Sequence, residues 1–78
     1  MPHIVINMYP GRSHELKKKM AETVRMQFAE TFEIPESSVS AAVMEISPDD
    51  FEDYVINTYK DQEILAESDY ISAEAASD

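Results

Sequence analysis

Seventy-eight residues make at most one domain, and a chain of that length buries only about 60% of the surface its unfolded form exposes, so a lone copy is marginal. There is no Cys and the only histidines are His3 and His14, so neither disulfides nor a Cys/His metal cluster can staple the fold, and assembly with further copies is the expected device. The net charge of −10 sits in the second half: residues 1–44 hold five acids and five bases, whereas 45–78 hold eleven acids and one base, Lys60.

An acidic surface repels DNA and RNA, and no basic stripe interleaved with aromatics offsets it, so nucleic acid is not an expected partner. The acidity reads first as a solvated face that keeps an oligomer soluble. No stretch approaches the roughly 18–20 consecutive apolar residues of a membrane span, and no basic segment followed by an apolar signal core opens the chain. A cytoplasmic protein with no membrane engagement is the expectation.

HIVINMY, His3 to Tyr9, is β-branched and apolar and is closed by the turn pair Pro10-Gly11, which predicts a strand. Its nearly continuous apolar character predicts burial on both faces. Ser13 then serves as a helix N-cap, Glu15 suits the dipole of the first turn, and Leu16, Met20, Val24, Phe28 and Phe32 recur every fourth residue. That pattern predicts an amphipathic helix of about five turns, ended before Pro35. Lys17, Lys18 and Lys19 read as its exposed face rather than as an anion site, and Met20 and Met26 need no cofactor to explain them.

VSAAVMEI, Val39 to Ile46, predicts a second strand. Ser47-Pro48-Asp49-Asp50 reads as an N-cap, a Pro at the first helical position and an acid at the third, opening a second helix that runs to about Leu65. Phe51, Val55 and Tyr59 fall on one face of it, with Tyr54 beside them. The stretch 67–78, ESDYISAEAASD, is polar and acidic and is expected to be mobile, with Tyr70 and Ile71 available to dock on a partner.

Strand, long helix, strand is a βαβ unit, so the fold class is α/β (α+β), with parallel strands and a right-handed crossover. One domain over 2–66, including the added C-terminal helix, is expected ahead of the 67–78 tail. Two strands leave edges and one face unpaired, and a second copy related by a two-fold axis is the simplest cover. A homo-oligomer is therefore expected, with the dimer favoured.

The chemistry starts at Pro2. If Met1 is removed, which is usual when a small residue follows it, Pro2 carries a secondary amine. An ordinary α-amino group has a pKa near 7.7–8.0, and an apolar surround or a nearby cation lowers it by disfavouring the protonated form. Such an amine is a general base, a role typically contributing about 10²–10⁴-fold in rate, and the strand behind it is a rigid mount.

The start PHIVINMYPGRS, the helix with Leu16 near its beginning, the segment SSVSAAVMEIS and Phe51 resemble the 4-oxalocrotonate tautomerase family, small βαβ subunits with an N-terminal catalytic Pro. The correspondence covers about residues 2–54, and the longer, acidic C-terminal part looks more like the family's dimeric bacterial branch. The resemblance implies that Pro2 shuttles a proton between carbon and oxygen in keto–enol interconversion of a 2-oxo acid, without a cofactor. It also implies that Arg12 in GRS helps hold a carboxylate and that Phe51 lines an apolar pocket. An Arg fork matches a carboxylate and can polarise a carbonyl.

Two departures shape the expected substrate. Ser40 stands where family members have a second arginine on the second strand, a substrate-binding hydroxyl that can hydrogen-bond but cannot neutralise charge. The family's glycine-rich C-terminal hairpin is missing, since the one Gly is Gly11. A monocarboxylate with an apolar or aromatic body, such as phenylpyruvate, is expected over a dicarboxylate. Strand residues rise about 3.3 Å each, so Pro2 and Tyr9 are on the order of 20 Å apart, and Arg12 is expected either from a neighbouring subunit or in an elongated site.

Each residue also has a plainer reading. Pro2 follows Met1 in many proteins without chemistry, Arg12 fits an exposed βα loop, Phe51 is as well explained by core packing, and His3 occupies a strand position without catalytic duty. Two alternatives to the tautomerase stand beside it. One keeps the proline base for hydration, dehalogenation or decarboxylation, and the other is a non-enzymatic acidic oligomer that binds a basic partner.

Overall fold

The computed structural model describes residues 1–72. Its elements are β1 (His3–Met8), α1 (His14–Phe32), β2 (Ser40–Glu45) and α2 (Phe51–Thr58), with a single 3-10 turn over Glu36–Ser38 ahead of β2. The chain is of α+β type in the order β-α-β-α: β1 and β2 pair in parallel in a two-stranded sheet and α1 connects them. It divides into two compact units, Met1–Glu45 and a second that begins at Ile46. Among the described residues no helix is long and apolar enough to cross a membrane.

In the first unit the register runs from His3 opposite Ser40 to Met8 opposite Glu45. Side chains alternate along a strand, so Ile4, Ile6, Ala41 and Val43 share one face, and His3, Val5, Ser40, Ala42 and Met44 share the other. The first face is half-buried, whereas on the second face Val5 is 40% exposed and Met44 44%. The expected burial of β1 on both faces is therefore corrected within this chain. An apolar run records how a strand can be covered, and one crossover helix covers one face.

Both strands are shorter than the expected spans. Tyr9 is exposed and lies outside the ladder, which ends at the Met8–Glu45 pair. Val39 and Ile46 bracket β2 and are buried without being part of it. Apolar content marks what packs, while the ladder stops where partners stop.

The expected α1 is realised with its cap. Ser13 is extended, and its hydroxyl accepts the amide of Leu16 at 3.2 Å, which satisfies one of the donors every helix start leaves open. The every-fourth-residue stripe does not form a single buried face. Four residues turn through about 400°, so each step drifts about 40°, and Leu16 and Phe32 end up on nearly opposite sides of the helix. Ala29 is the buried residue of α1, while Leu16, Val24 and Phe32 are exposed. Phe28 and Phe32 stack with ring centroids 4.6 Å apart.

At its C-terminus α1 closes through Glu33, which sits in the left-handed region at φ 54°, ψ 44°. The Ile34 amide donates to the Ala29 carbonyl at 3.0 Å and the Glu33 amide to the Glu30 carbonyl at 3.3 Å, a Schellman closure built without glycine. A side chain in this region costs roughly 1–2 kcal/mol, against the greater chain entropy that glycine loses. Glu33→Gly is thus expected to stabilise the protein by about 0.5–1 kcal/mol, read as a higher urea midpoint at unchanged slope. An unchanged or lower midpoint would show that the cap carries no strain.

The second unit holds a shorter helix than expected. Ser47 does not cap it: its hydroxyl donates to Asp50 Oδ2 at 2.9 Å, and its carbonyl accepts the Asp50 amide at 3.1 Å, which makes residues 48–50 a turn. The helix starts one turn later, with Asp50 at its N-cap. It ends at Thr58, after Val55, Ile56, Asn57 and Thr58, all of modest helix propensity, with no base in the last turn to meet the dipole. Leu65, expected near the helix end, is 84% exposed. Val55 is buried, Phe51 and Tyr59 are half-buried, and Tyr54 meets Tyr59 edge-on at 6.5 Å.

The stretch expected to be mobile, 67–78, lies outside the described residues from 73 onward. Within 67–72 the Ser68 hydroxyl accepts the amides of Tyr70 and Ile71 at 3.2 and 3.0 Å, and the Ser68 amide donates to the Ile71 carbonyl at 3.0 Å.

Candidate active site

Parallel pairing brings the starts of β1 and β2 to the same end of the sheet, and this end holds Pro2, His3 and Ser40. Pro2 is half-buried, Met1 ahead of it is fully exposed, and the Pro2 carbonyl accepts the Ser40 amide at 3.1 Å. That oxygen is three bonds from the Pro2 nitrogen, so the ladder's first hydrogen bond pins the residue proposed as the base. Pro lacks an amide hydrogen, and this position asks only for its carbonyl, which is why a strand can begin there.

His3 has a partner that spacing in the sequence does not reveal. Its Nδ1 lies 2.7 Å from the Ser40 hydroxyl, on the exposed face of the sheet. The two residues are 37 apart and meet because the register sets them opposite each other. Ser40 and Ala41 also line a cleft of about 240 Å³ with Lys18, Ala21, Glu22 and Arg25 of α1. Arg25 donates from Nη2 to Glu36 at 3.1 Å, and its Nε is buried without a partner. A guanidinium thus stands at the Ser40 end of the first unit, where the sequence pattern pointed only to Arg12.

Arg12 is placed at the other end. It follows β1, in the loop before α1, is exposed, and has no ion-pair partner among the described residues. Six strand residues at about 3.3 Å each separate the two ends by on the order of 20 Å, so the first unit does not bring Arg12 to its own Pro2. Phe51 opens α2 in the second unit, half-buried one turn before the buried Val55.

The loop that carries Arg12 is anchored. Gly11, at φ 119°, takes a backbone conformation that a side chain would strain, and its amide donates to the Glu45 carboxylate. Lys17 donates to the same carboxylate at 2.8 Å, so Lys17 is half-buried and paired rather than part of a free lysine face. A second cleft, of about 450 Å³, runs beside this pair and is lined by His14, Lys17, Lys18, Ala21 and Ala41–Val43.

The Lys17 hydrogen bond, helped by its charge and by the Gly11 amide, holds the Glu45 carboxyl below its ordinary value of 4.5. A lowered carboxylate pKa stabilises the fold above the unfolded value, and that contribution is lost as pH falls through the folded value. Glu45→Gln is accordingly expected to lower the melting temperature at pH 7 and to flatten its fall below pH 4.5. Parallel melting curves for both proteins from pH 7 to pH 3 would show instead that the pair contributes nothing.

No group of three or more His, Asp or Glu side chains among the described residues is placed to share a metal ion. The chain matches no protein-family model, no curated protein and no solved structure.

Proposed function

We propose that the protein is a small oligomeric enzyme whose base is the amine of Pro2 after Met1 has been removed, in the manner of the N-terminal-proline tautomerases it resembles. Its reaction is keto–enol isomerisation of a 2-oxo acid, a monocarboxylate of the phenylpyruvate kind, with no cofactor. The observation that carries the reading is the pinned Pro2: an exposed Met1, then a proline whose carbonyl is held by the Ser40 amide at 3.1 Å on the first rung of a parallel sheet. A nitrogen mounted this way needs no reorganisation to meet a substrate proton.

In this mechanism the lone pair of Pro2 takes a proton from the carbon beside the keto group. The electron pair of that C–H bond becomes the enol double bond, and Pro2 returns the proton to oxygen. Ser40 binds substrate oxygen and Arg12 grips the carboxylate from a neighbouring subunit, which makes the homodimer part of the site. The experiment is an intact mass of the protein from its own host followed by a phenylpyruvate assay. Loss of one Met together with enol–keto turnover supports the proposal, and a retained Met leaves an amide nitrogen without basicity and overturns it.

The other enzyme reading, a proline base used for hydration, dehalogenation or decarboxylation, is separated by the same assay run with those substrates. A non-enzymatic reading draws on Leu65 and Tyr70, both well exposed within the acidic second half, as anchors for a basic partner.

A further inference from the structure

We infer that His3 is a positioning residue that turns Ser40 into the hydrogen-bond donor for the developing enolate, supplying through a serine the electrophilic help that an arginine would otherwise give. The inference rests on the tautomerase reading.

A serine hydroxyl has one proton, and where it points decides what the residue can do. If Nδ1 of His3 is bare, the Ser40 proton is spent on it across the 2.7 Å contact, and Ser40 can only accept. An oxygen-only face repels an enolate. If Nδ1 carries hydrogen, His3 donates to Ser40 Oγ, and the serine proton is free to point outward at a substrate oxygen. The hydroxyl belongs to the residue whose amide is bonded to the Pro2 carbonyl, and on this reading one small 2-oxo acid sets its acidic carbon at the Pro2 nitrogen and its keto oxygen at Ser40.

The side chains sharing this sheet face are Val5, Asn7, Ala42 and Met44, none of them ionisable, so the first unit's own strands offer His3 no charged competitor for the Ser40 bond. The step needs no net transfer from the pair. Pro2 takes the proton from carbon, the C–H electron pair enters the carbon–carbon double bond, the carbonyl electrons move to oxygen, and that oxygen is held by the Ser40 O–H until Pro2 returns the proton to it. A donor aimed at charge that develops only in the transition state acts on kcat rather than on KM.

The test uses the full chain with Met1 removed and phenylpyruvate as substrate. Ser40→Ala is expected to lower kcat by about 10²-fold with KM little changed. His3→Ala should lower kcat by about 10-fold, and His3→Gln, whose side-chain amide can donate to Ser40 Oγ, should recover most of that loss. The His3→Ala, Ser40→Ala double variant should be no slower than Ser40→Ala alone, because His3 acts through the serine. Full additivity in that cycle, an unchanged kcat in His3→Ala, or a Gln variant as slow as Ala would overturn the inference, circular dichroism having shown each variant folded. Wild-type protein that leaves phenylpyruvate unchanged, or a Pro2→Ala variant of wild-type rate, overturns the tautomerase reading itself and the inference with it.

Discussion

Pro2→Ala, in protein freed of Met1, is expected to lose about 10²–10⁴-fold in kcat/KM toward phenylpyruvate. The loss follows from geometry more than from removal of a nitrogen. Alanine would still present an amine, but a primary one, free to rotate about its bond to Cα, whereas the pyrrolidine ring holds the nitrogen in one orientation on a strand whose first rung is the Ser40–Pro2 hydrogen bond. The rate of the wild-type enzyme should rise with pH as the ammonium form of Pro2 loses its proton, and protein that retains Met1 should show no such limb, its nitrogen being an amide. Enol–keto absorbance measured at several pH values for the three proteins decides the matter. A variant as fast as the wild type would move the base elsewhere and leave Pro2 a strand terminus.

The second large effect is expected on the open face of the sheet. Val5 and Met44 are exposed there at 40% and 44%, beside Ala42, while Ala29, Val39, Ile46 and Val55 are the buried apolar residues among those described. Burying an aliphatic side chain is worth about 1.5–3 kcal/mol, and so small a set leaves the described residues short of cover. The face suits a second copy, whose twofold contact would bury both residues from each protomer. Val5→Asp combined with Met44→Asp would place charges where that contact excludes water, and the cost is several kcal/mol per uncompensated charge. Sedimentation should therefore show the proposed dimer dissociating at least 100-fold more readily, with phenylpyruvate turnover falling alongside if Arg12 comes from the neighbour. A wild-type monomer would remove the dimer, and an unaffected variant dimer would move the interface off this face.

Local chemistry was legible in residue order. The Ser13 cap, the Pro10-Gly11 turn and the Pro35 stop are decided by neighbours a few residues away, and α1 and the strand cores fall where those signals put them. The limits of α2 were misread because Ser47-Pro48-Asp49-Asp50 suits a tight turn as well as a helix start, and the Ser47–Asp50 pair shows which the fold adopts. The stripe from Leu16 to Phe32 was misread for another reason: a spacing of four approximates a helical turn only over short lengths, and the drift accumulates over nineteen residues.

For the candidate site the division is similar. Pro2 and Arg12 stand out from position and residue type, and strand geometry already implied that one chain would hold them at opposite ends. His3 looked like an ordinary strand residue, and nothing in the residue pattern singled out Arg25. What the sequence by itself determined is the set of elements and the chemical types at the start of β1, since propensity, capping and side-chain chemistry act over a few residues. The tertiary structure alone decided the register, and with it the meeting of His3 and Ser40, the cleft that puts Arg25 beside Ser40, and the sheet face left open, because a ladder between residues 37 apart is chosen by packing across the whole unit.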